Sequence, residues 1–166
     1  MNLNLCINYL RMLINIKQVY SVGRTKGYSA ERELVVKLWR MGFAVMRAPA
    51  SGSKIKRAKY PDVVAIKSCR VLVFEVKSRS KLESIYIDEG QIRKLKEFAD
   101  RAGGQAFIAV KISGDKWRVV GLEQLEKLNS NTYKVSREVL LSSKGLEELL
   151  RDLKLIPSLE DFIRQT

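Results

Sequence analysis

Between Asp62 and Ser78 the chain carries two apolar, β-rich runs, DVVAIK (Asp62–Lys67) and VLVFEVKS (Val71–Ser78), with a short polar turn at Ser68-Cys69 between them. Few sequences other than a hairpin fit that arrangement. Side chains alternate along a strand, so Val71, Val73, Glu75 and Lys77 share one face and Leu72, Phe74 and Val76 the other. A two-residue turn puts Lys67 opposite Arg70, and counting back puts Asp62 opposite Glu75. One residue more or less in the turn would break that register.

In this register two carboxylates stand roughly 5 Å apart at their Cβ atoms and repel each other. A divalent cation removes the repulsion. Oxygen ligands without sulfur or imidazole select Mg²⁺ or Mn²⁺, and the backbone carbonyl of Val76 is a further candidate ligand. Glu-x-Lys alone arises by chance in many basic chains, and an Asp after Pro often only starts a strand. The combination is what points to a site: Pro61-Asp62, Glu75-Val76-Lys77 one hairpin arm away, and a carboxylate on the preceding helix.

That helix starts from Ser29 as N-cap, has Glu31 and Glu33 in its first turn, and repeats Leu34, Val35, Leu38 and Met41 before Gly42. Glu31 lies on the stripe of Leu34, Val35 and Leu38, whereas Glu33 points elsewhere. A short strand, Phe43 to Arg47, follows. It runs into APASGSKIKRAKYP, a small-residue loop with Ser51, Ser53, Lys54, Lys56, Arg57 and Lys59. Each lysine there is by default a solvated surface charge, but such a loop beside carboxylates also lets phosphate approach, with hydroxyls and N–H groups as donors.

Further on, Ile85 to Ile87 is a short strand or part of a loop, and Glu89 to Ala102 is a helix with Ile92, Leu95, Phe98 and Ala99 inward, ended by Gly103-Gly104. Gln91, near its start, can reach the same site. Ala106–Ile112 and Lys116–Val120 form a second hairpin, Leu122–Leu128 and Leu146–Leu153 short helices, and Tyr133 the centre of a strand. The order is α-β-β-β-α-β-β with a mixed tail: an α/β fold with a central mixed sheet flanked by helices. Residues 26–166 read as one domain. Residues 1–25 read as an extension, docked or mobile, or as an over-long start given the internal Met12.

Histidine is absent, which excludes serine-protease-like triads, histidine zinc sites and imidazole bases. Lysine and arginine number 31 against 18 acidic residues, a net charge of +13, in a chain whose 46% hydrophobic content is that of a folded protein. The field attracts polyanions, nucleic acid first. No apolar run suits a membrane span or signal peptide, and two cysteines, Cys6 and Cys69, give neither a disulfide framework nor a metal spacing, which suits a cytoplasmic protein.

The pattern Pro61-Asp62, Glu75-Val76-Lys77 with Glu31 upstream resembles the PD-(D/E)xK nuclease superfamily. GYSAERELV, GFAVMRAPASGS, PDVVAIK and FEVKSR, followed by FADRAGG and GLEELL, resemble the archaeal Holliday junction resolvase family from about Lys26 onward. The resemblance implies a restriction-endonuclease-like core with metal carboxylates Glu31, Asp62 and Glu75, the motif lysine Lys77 and a functional serine at Ser51. It also implies Mg²⁺, with Mn²⁺ able to substitute, no small-molecule cofactor, and a homodimer that nicks two opposed strands of four-way junction DNA symmetrically. Arg47, Ser53, Lys54, Lys56, Arg57, Lys59, Arg79 and Gln91 are the expected DNA contacts. Beside two carboxylates, Lys77 reads as an ammonium donor rather than a base. The rivals are another PD-(D/E)xK endonuclease of restriction or repair type and a non-catalytic DNA-binding module; intact Glu31, Asp62, Glu75 and Lys77 argue against the latter.

Overall fold

The computed structural model describes residues 30–47, 60–128 and 131–157. Helix α1 (Ala30–Arg40) carries Glu31 and Glu33 at its start and Lys37 and Arg40 at its end, charges that complement the helix dipole, and it buries Leu34 and Leu38 completely. Its expected cap, Ser29, lies outside the described residues. Gly42, with φ of 82°, turns the chain out of the helix as Gly42 N–H donates to the Trp39 carbonyl.

The chain then lays down strands β1 (Ala44–Arg47), β2 (Val63–Lys67), β3 (Arg70–Arg79) and β4 (Ile85–Asp88), helix α2 (Glu89–Arg101), and strands β5 (Gln105–Ile112) and β6 (Trp117–Gly121). A 3-10 turn (Leu122–Gln124) precedes β7 (Glu126–Leu128) and β8 (Thr132–Val135). Helix α3 (Arg137–Ser142), β9 (Lys144–Gly145) and helix α4 (Leu146–Asp152) complete the described chain. The main sheet has the order β1-β2-β3-β5-β6-β9, and its β3–β5 pair is parallel amid antiparallel neighbours. A parallel pair needs a crossover, which β4 and α2 supply. The result is the expected α/β fold with a mixed central sheet between helices.

Alternation along β3 divides the core. Leu72 and Phe74 pack with Leu34, Leu38, Trp117, Leu146 and Leu150 on the side of α1 and α4. Val73 packs with Ile92, Leu95, Ala99, Ile108 and Val110 on the side of α2. Asp88 caps α2 by accepting from the Gly90 N–H at 2.8 Å. Beyond the helix the backbone comes so close to β3 that a Cβ on Gly104 would lie 2.6 Å from the Val71 carbonyl oxygen, so only glycine fits.

The β2–β3 hairpin has the register expected of a two-residue turn, from Lys67 opposite Arg70 to Val63 opposite Phe74. Ser68 and Cys69 have φ of 50° and 59°, the two left-handed residues of a type I′ turn, whose twist matches that of the strands.

The tail departs from expectation. Leu122–Leu128 is not one helix: its first three residues form the 3-10 turn, closed by the Gln124 side chain accepting from the Gly121 N–H, and Glu126–Leu128 joins a second sheet of order β4-β8-β7. Glu126 gains a cross-strand partner in Lys134 there, which a helix would not offer. Helix α3 was not expected. Ser136 caps it through the Val139 N–H, and the buried Arg118 guanidinium donates to the Leu140 carbonyl near its other end, which lets so short a helix persist.

Candidate active site

Strand β3 is twice as long as its neighbour. The β2 pairing ends at Val63–Phe74, while β3 continues to Arg79 along β5. Pro61 has no N–H with which to extend the ladder, so the chain leaves the sheet there and the β3 edge opens. Asp62 occupies that opening, and its Oδ2 accepts from the Val76 N–H at 2.7 Å. In an extended strand a residue's N–H and C=O face the same edge, so the Val76 carbonyl faces Asp62 as well.

Glu75 and Lys77 share a face, as alternation requires. Lys77 Nζ donates to Glu75 Oε1 at 2.6 Å and to Gln91 Oε1, on α2, at 3.2 Å. With side-chain exposures of 17% for Lys77 and 12% for Glu75, this is no ordinary solvated pair. Sheltering two charges is costly unless their geometry is good and further hydrogen bonds satisfy them, and the second bond of Lys77, to Gln91, is one such.

Asp62 stands in electrostatic contact with Glu75, Glu31 and Lys77. Burial pushes its carboxyl up from the ordinary 3.8 to about 6; the charges of Glu75 and Glu31 add to the rise, and the Val76 N–H and Lys77 oppose it. Glu31 comes from the first turn of α1. At the helix end of the stripe of Leu34 and Leu38 it is partly buried and accepts from Arg47 Nη1, at the end of β1, at 3.1 Å.

Among the described residues no group of three or more histidine, cysteine, aspartate or glutamate side chains is placed to hold a metal ion. Two carboxylates, Asp62 and Glu75, stand close enough to repel each other. Mg²⁺ binds through one or two carboxylates and completes its shell with substrate phosphates and water, and the mutual repulsion of Asp62 and Glu75 is what such a cation would relieve.

Of the other expected residues, Arg79 closes β3 and donates to the Ser78 carbonyl at 2.8 Å. Gln91 reaches Lys77. Ser51, Ser53, Lys54, Lys56, Arg57 and Lys59 lie outside the described residues.

Two relationships were not read from the sequence. Arg47 was expected only at DNA, yet it is the partner of Glu31. Glu33 anchors the same helix turn, accepting from Trp117 Nε1 at 3.0 Å and pairing with Lys111 at 3.1 Å. No local pattern signals a contact to Trp117, 84 residues away.

Comparison with known proteins points one way. The archaeal Holliday junction resolvase (Hjc) family matches residues 22–156. The crossover junction endodeoxyribonuclease Hjc of Sulfurisphaera tokodaii is 37% identical over 142 residues, covering 84% of this chain and 97% of its own. That of Sulfolobus acidocaldarius is also 37% identical over 142 residues, covering 84% and 98%. Among solved structures, Archaeoglobus fulgidus Hjc, a Holliday junction resolvase from an archaeal hyperthermophile, superposes with a TM-score of 0.64 at 31% identity, covering 74% of this chain and 96% of that one.

Proposed function

The chain belongs to the archaeal Holliday junction resolvase family, and from that premise we propose how its own residues resolve a four-way junction. It is a crossover junction endodeoxyribonuclease. The observation that carries the reading is the gathering of Asp62, Glu75 and Lys77 where β2 leaves β3.

Asp62 and Glu75, with Glu31 extending the shell, are the residues that would hold Mg²⁺, and Mn²⁺ in its place. The cation supplies acidified water and charge neutralisation at the phosphoryl oxygens, which makes histidine unnecessary. Lys77 is held by Glu75 and Gln91 as a fixed ammonium donor beside the developing charge. Asp62 is kept from turning away by the Val76 N–H. Ser51, four residues after β1 in sequence, supplies a hydroxyl to the reacting phosphate.

Arg47, Ser53, Lys54, Lys56, Arg57, Lys59, Arg79 and Gln91 track phosphates, so the enzyme reads branch geometry rather than base edges. Two copies related by two-fold symmetry present two sites to two opposed strands and leave paired symmetric nicks. Among the described residues no helix is long and apolar enough to cross a membrane, and we place the enzyme in the cytoplasm with its DNA.

The test incubates the protein with a four-way junction, the matching linear duplex and single strand, with and without Mg²⁺. Paired symmetric nicks should appear on the junction alone, only with the cation. Glu75→Gln and Lys77→Met should each lower the cleavage rate by at least about 10²-fold while leaving junction binding in place. Equal cutting of linear duplex would identify a different PD-(D/E)xK specificity, and full turnover by Lys77→Met would remove that lysine from the chemistry.

A further inference from the structure

Helix α1 sorts its charges by face. Glu31 accepts from Arg47, Glu33 holds Trp117 and Lys111, and Lys37 pairs with Glu147 on α4. Of the helix's charged residues that leaves Arg32 and Arg40, and among the described residues neither meets an acidic side chain. At 3.6 residues per turn these two fall with Val36 and Trp39 on the face opposite the buried Leu34 and Leu38. That face holds no acid. Trp39 is 66% exposed, more than any other large hydrophobic side chain among the described residues, and none of them lays a ring or a cation on its indole. The helix is also pinned at both ends. Its first turn is tied down through Glu31 and Glu33, and at its far end Lys67 Nζ donates to the Met41 carbonyl at 2.6 Å while lying 5.1 Å over the Phe43 ring.

We propose that the outward face of α1, centred on Trp39 and Arg40, is a rest for a duplex arm of the junction: Arg40 grips a phosphate, the indole lies against the neighbouring sugars, and Arg32 extends the basic track back toward the site. The proposal rests on the resolvase reading above and adds a contact outside the site that the reading does not require. Chemistry and area both select the occupant. Unanswered guanidinium groups with no acid between them call for a polyanion, and their fork matches phosphate. Indole offers a flat apolar body to deoxyribose and an N–H to a phosphate oxygen, the two parts of DNA that take most protein contacts. A stable protein partner would need roughly 800 Å² from each side, whereas the apolar part of this face is one indole and Val36. Position agrees as well. The helix starts at Glu31, whose charge reaches Asp62, and Arg32 and Arg40 stand about 12 Å apart along it. That is the span of about three to four nucleotides of a duplex strand at about 3.4 Å each, so an arm leaving the site past Glu31 meets the whole face.

The experiment measures binding to an uncut junction, without divalent cation. The chain has two tryptophans, and Trp117 is only 3% exposed, so the fluorescence open to acrylamide reports Trp39; Trp39→Phe confirms the assignment. A saturating four-way junction should cut acrylamide quenching of the full chain by at least about threefold, the extent expected when a ring goes from open solvent to a nucleic-acid contact. Arg40→Gln should weaken junction binding and lower the slope of log affinity against log salt by about 1, while Trp39→Ala should weaken binding at an unchanged slope. Both side chains are exposed, and a thermal melt of each variant confirms that it folds. Trp39 left as open to acrylamide in the saturated complex, or an undiminished salt slope for Arg40→Gln, overturns the proposal and leaves the resolvase standing. Shielding of Trp39 that grows with protein concentration in the absence of DNA also overturns it, because it gives the face to a second copy. A wild type that binds no junction removes the resolvase reading and the proposal with it.

Discussion

Asp62 carries the strongest tension of any single residue in the site. Its carboxyl is raised to about 6 in the fold against an ordinary 3.8, by burial first and by Glu75 and Glu31 after it. Protonation therefore favours the folded chain. The stabilisation is fully present below about pH 4 and is lost as pH rises through about 6. Asp62→Asn keeps an acceptor for the Val76 N–H and removes the charge, so with chelator present it should melt higher than wild type at pH 8. For a carboxyl that solvent still partly screens the gain is about 1 kcal/mol, or about 2–4 °C in Tm, and it should vanish toward pH 4. A Tm difference that does not change with pH, measured by thermal melts across that range, would contradict this account. That Glu75 and Lys77 share a face was legible in the sequence because strand alternation fixes faces by counting; Asp62 lies beyond the ladder, which ends at Val63–Phe74. Arg47 as the partner of Glu31 was not legible, because the two sit on separate elements and only the packing of α1 on the sheet brings them together.

Among the elements, the hairpin is the one the sequence specifies best and encodes least comfortably. Its register follows from a turn of two residues, a purely local matter. Yet Ser68 and Cys69 both sit at positive φ without being glycine, which costs roughly 1–2 kcal/mol per residue of β-carbon strain. Replacing the pair by Asn-Gly, the dipeptide such turns favour, should raise Tm by about 2–4 °C per kcal/mol recovered, with junction cleavage unchanged; a lower Tm would mean that the turn is not strained as described. The strand at β7 shows the opposite case. Leu122 and Leu125 recur at a spacing that also suits a helix, and only pairing with β8, itself paired to β4, decides for a strand. Helix α3 likewise depends on Arg118 from a distant strand. Where an element's identity is set by a partner far along the chain, periodicity cannot supply it.

For the whole molecule the governing quantity is charge. A net +13 spread over 166 residues makes binding to a junction largely a matter of counterion release. An enzyme that touches about 6–10 phosphates should lose roughly 10³–10⁵ in affinity between 50 and 200 mM salt. Titrations of an intact junction at several KCl concentrations, without divalent cation, test this. A slope near zero would mean that the positive field faces away from DNA. That field was visible in composition, but its organisation was not. The described ion pairs use several basic residues internally: Lys37 with Glu147 between α1 and α4, Lys111 with Glu33, and Arg118 with Asp115.

The open edge of β3 beyond Phe74 sets a limit on how far this protein can be improved. Ordinary design would lengthen β2 by replacing Pro61 and continuing the ladder past Val63, giving the Val76 N–H a backbone partner in place of Asp62. Each added rung would make a better sheet and a worse enzyme, because the new backbone would take the place of Asp62 at the edge of β3. Selection for robustness and selection for turnover thus act on the same few residues in opposite directions, and the early exit of β2 is the compromise between them.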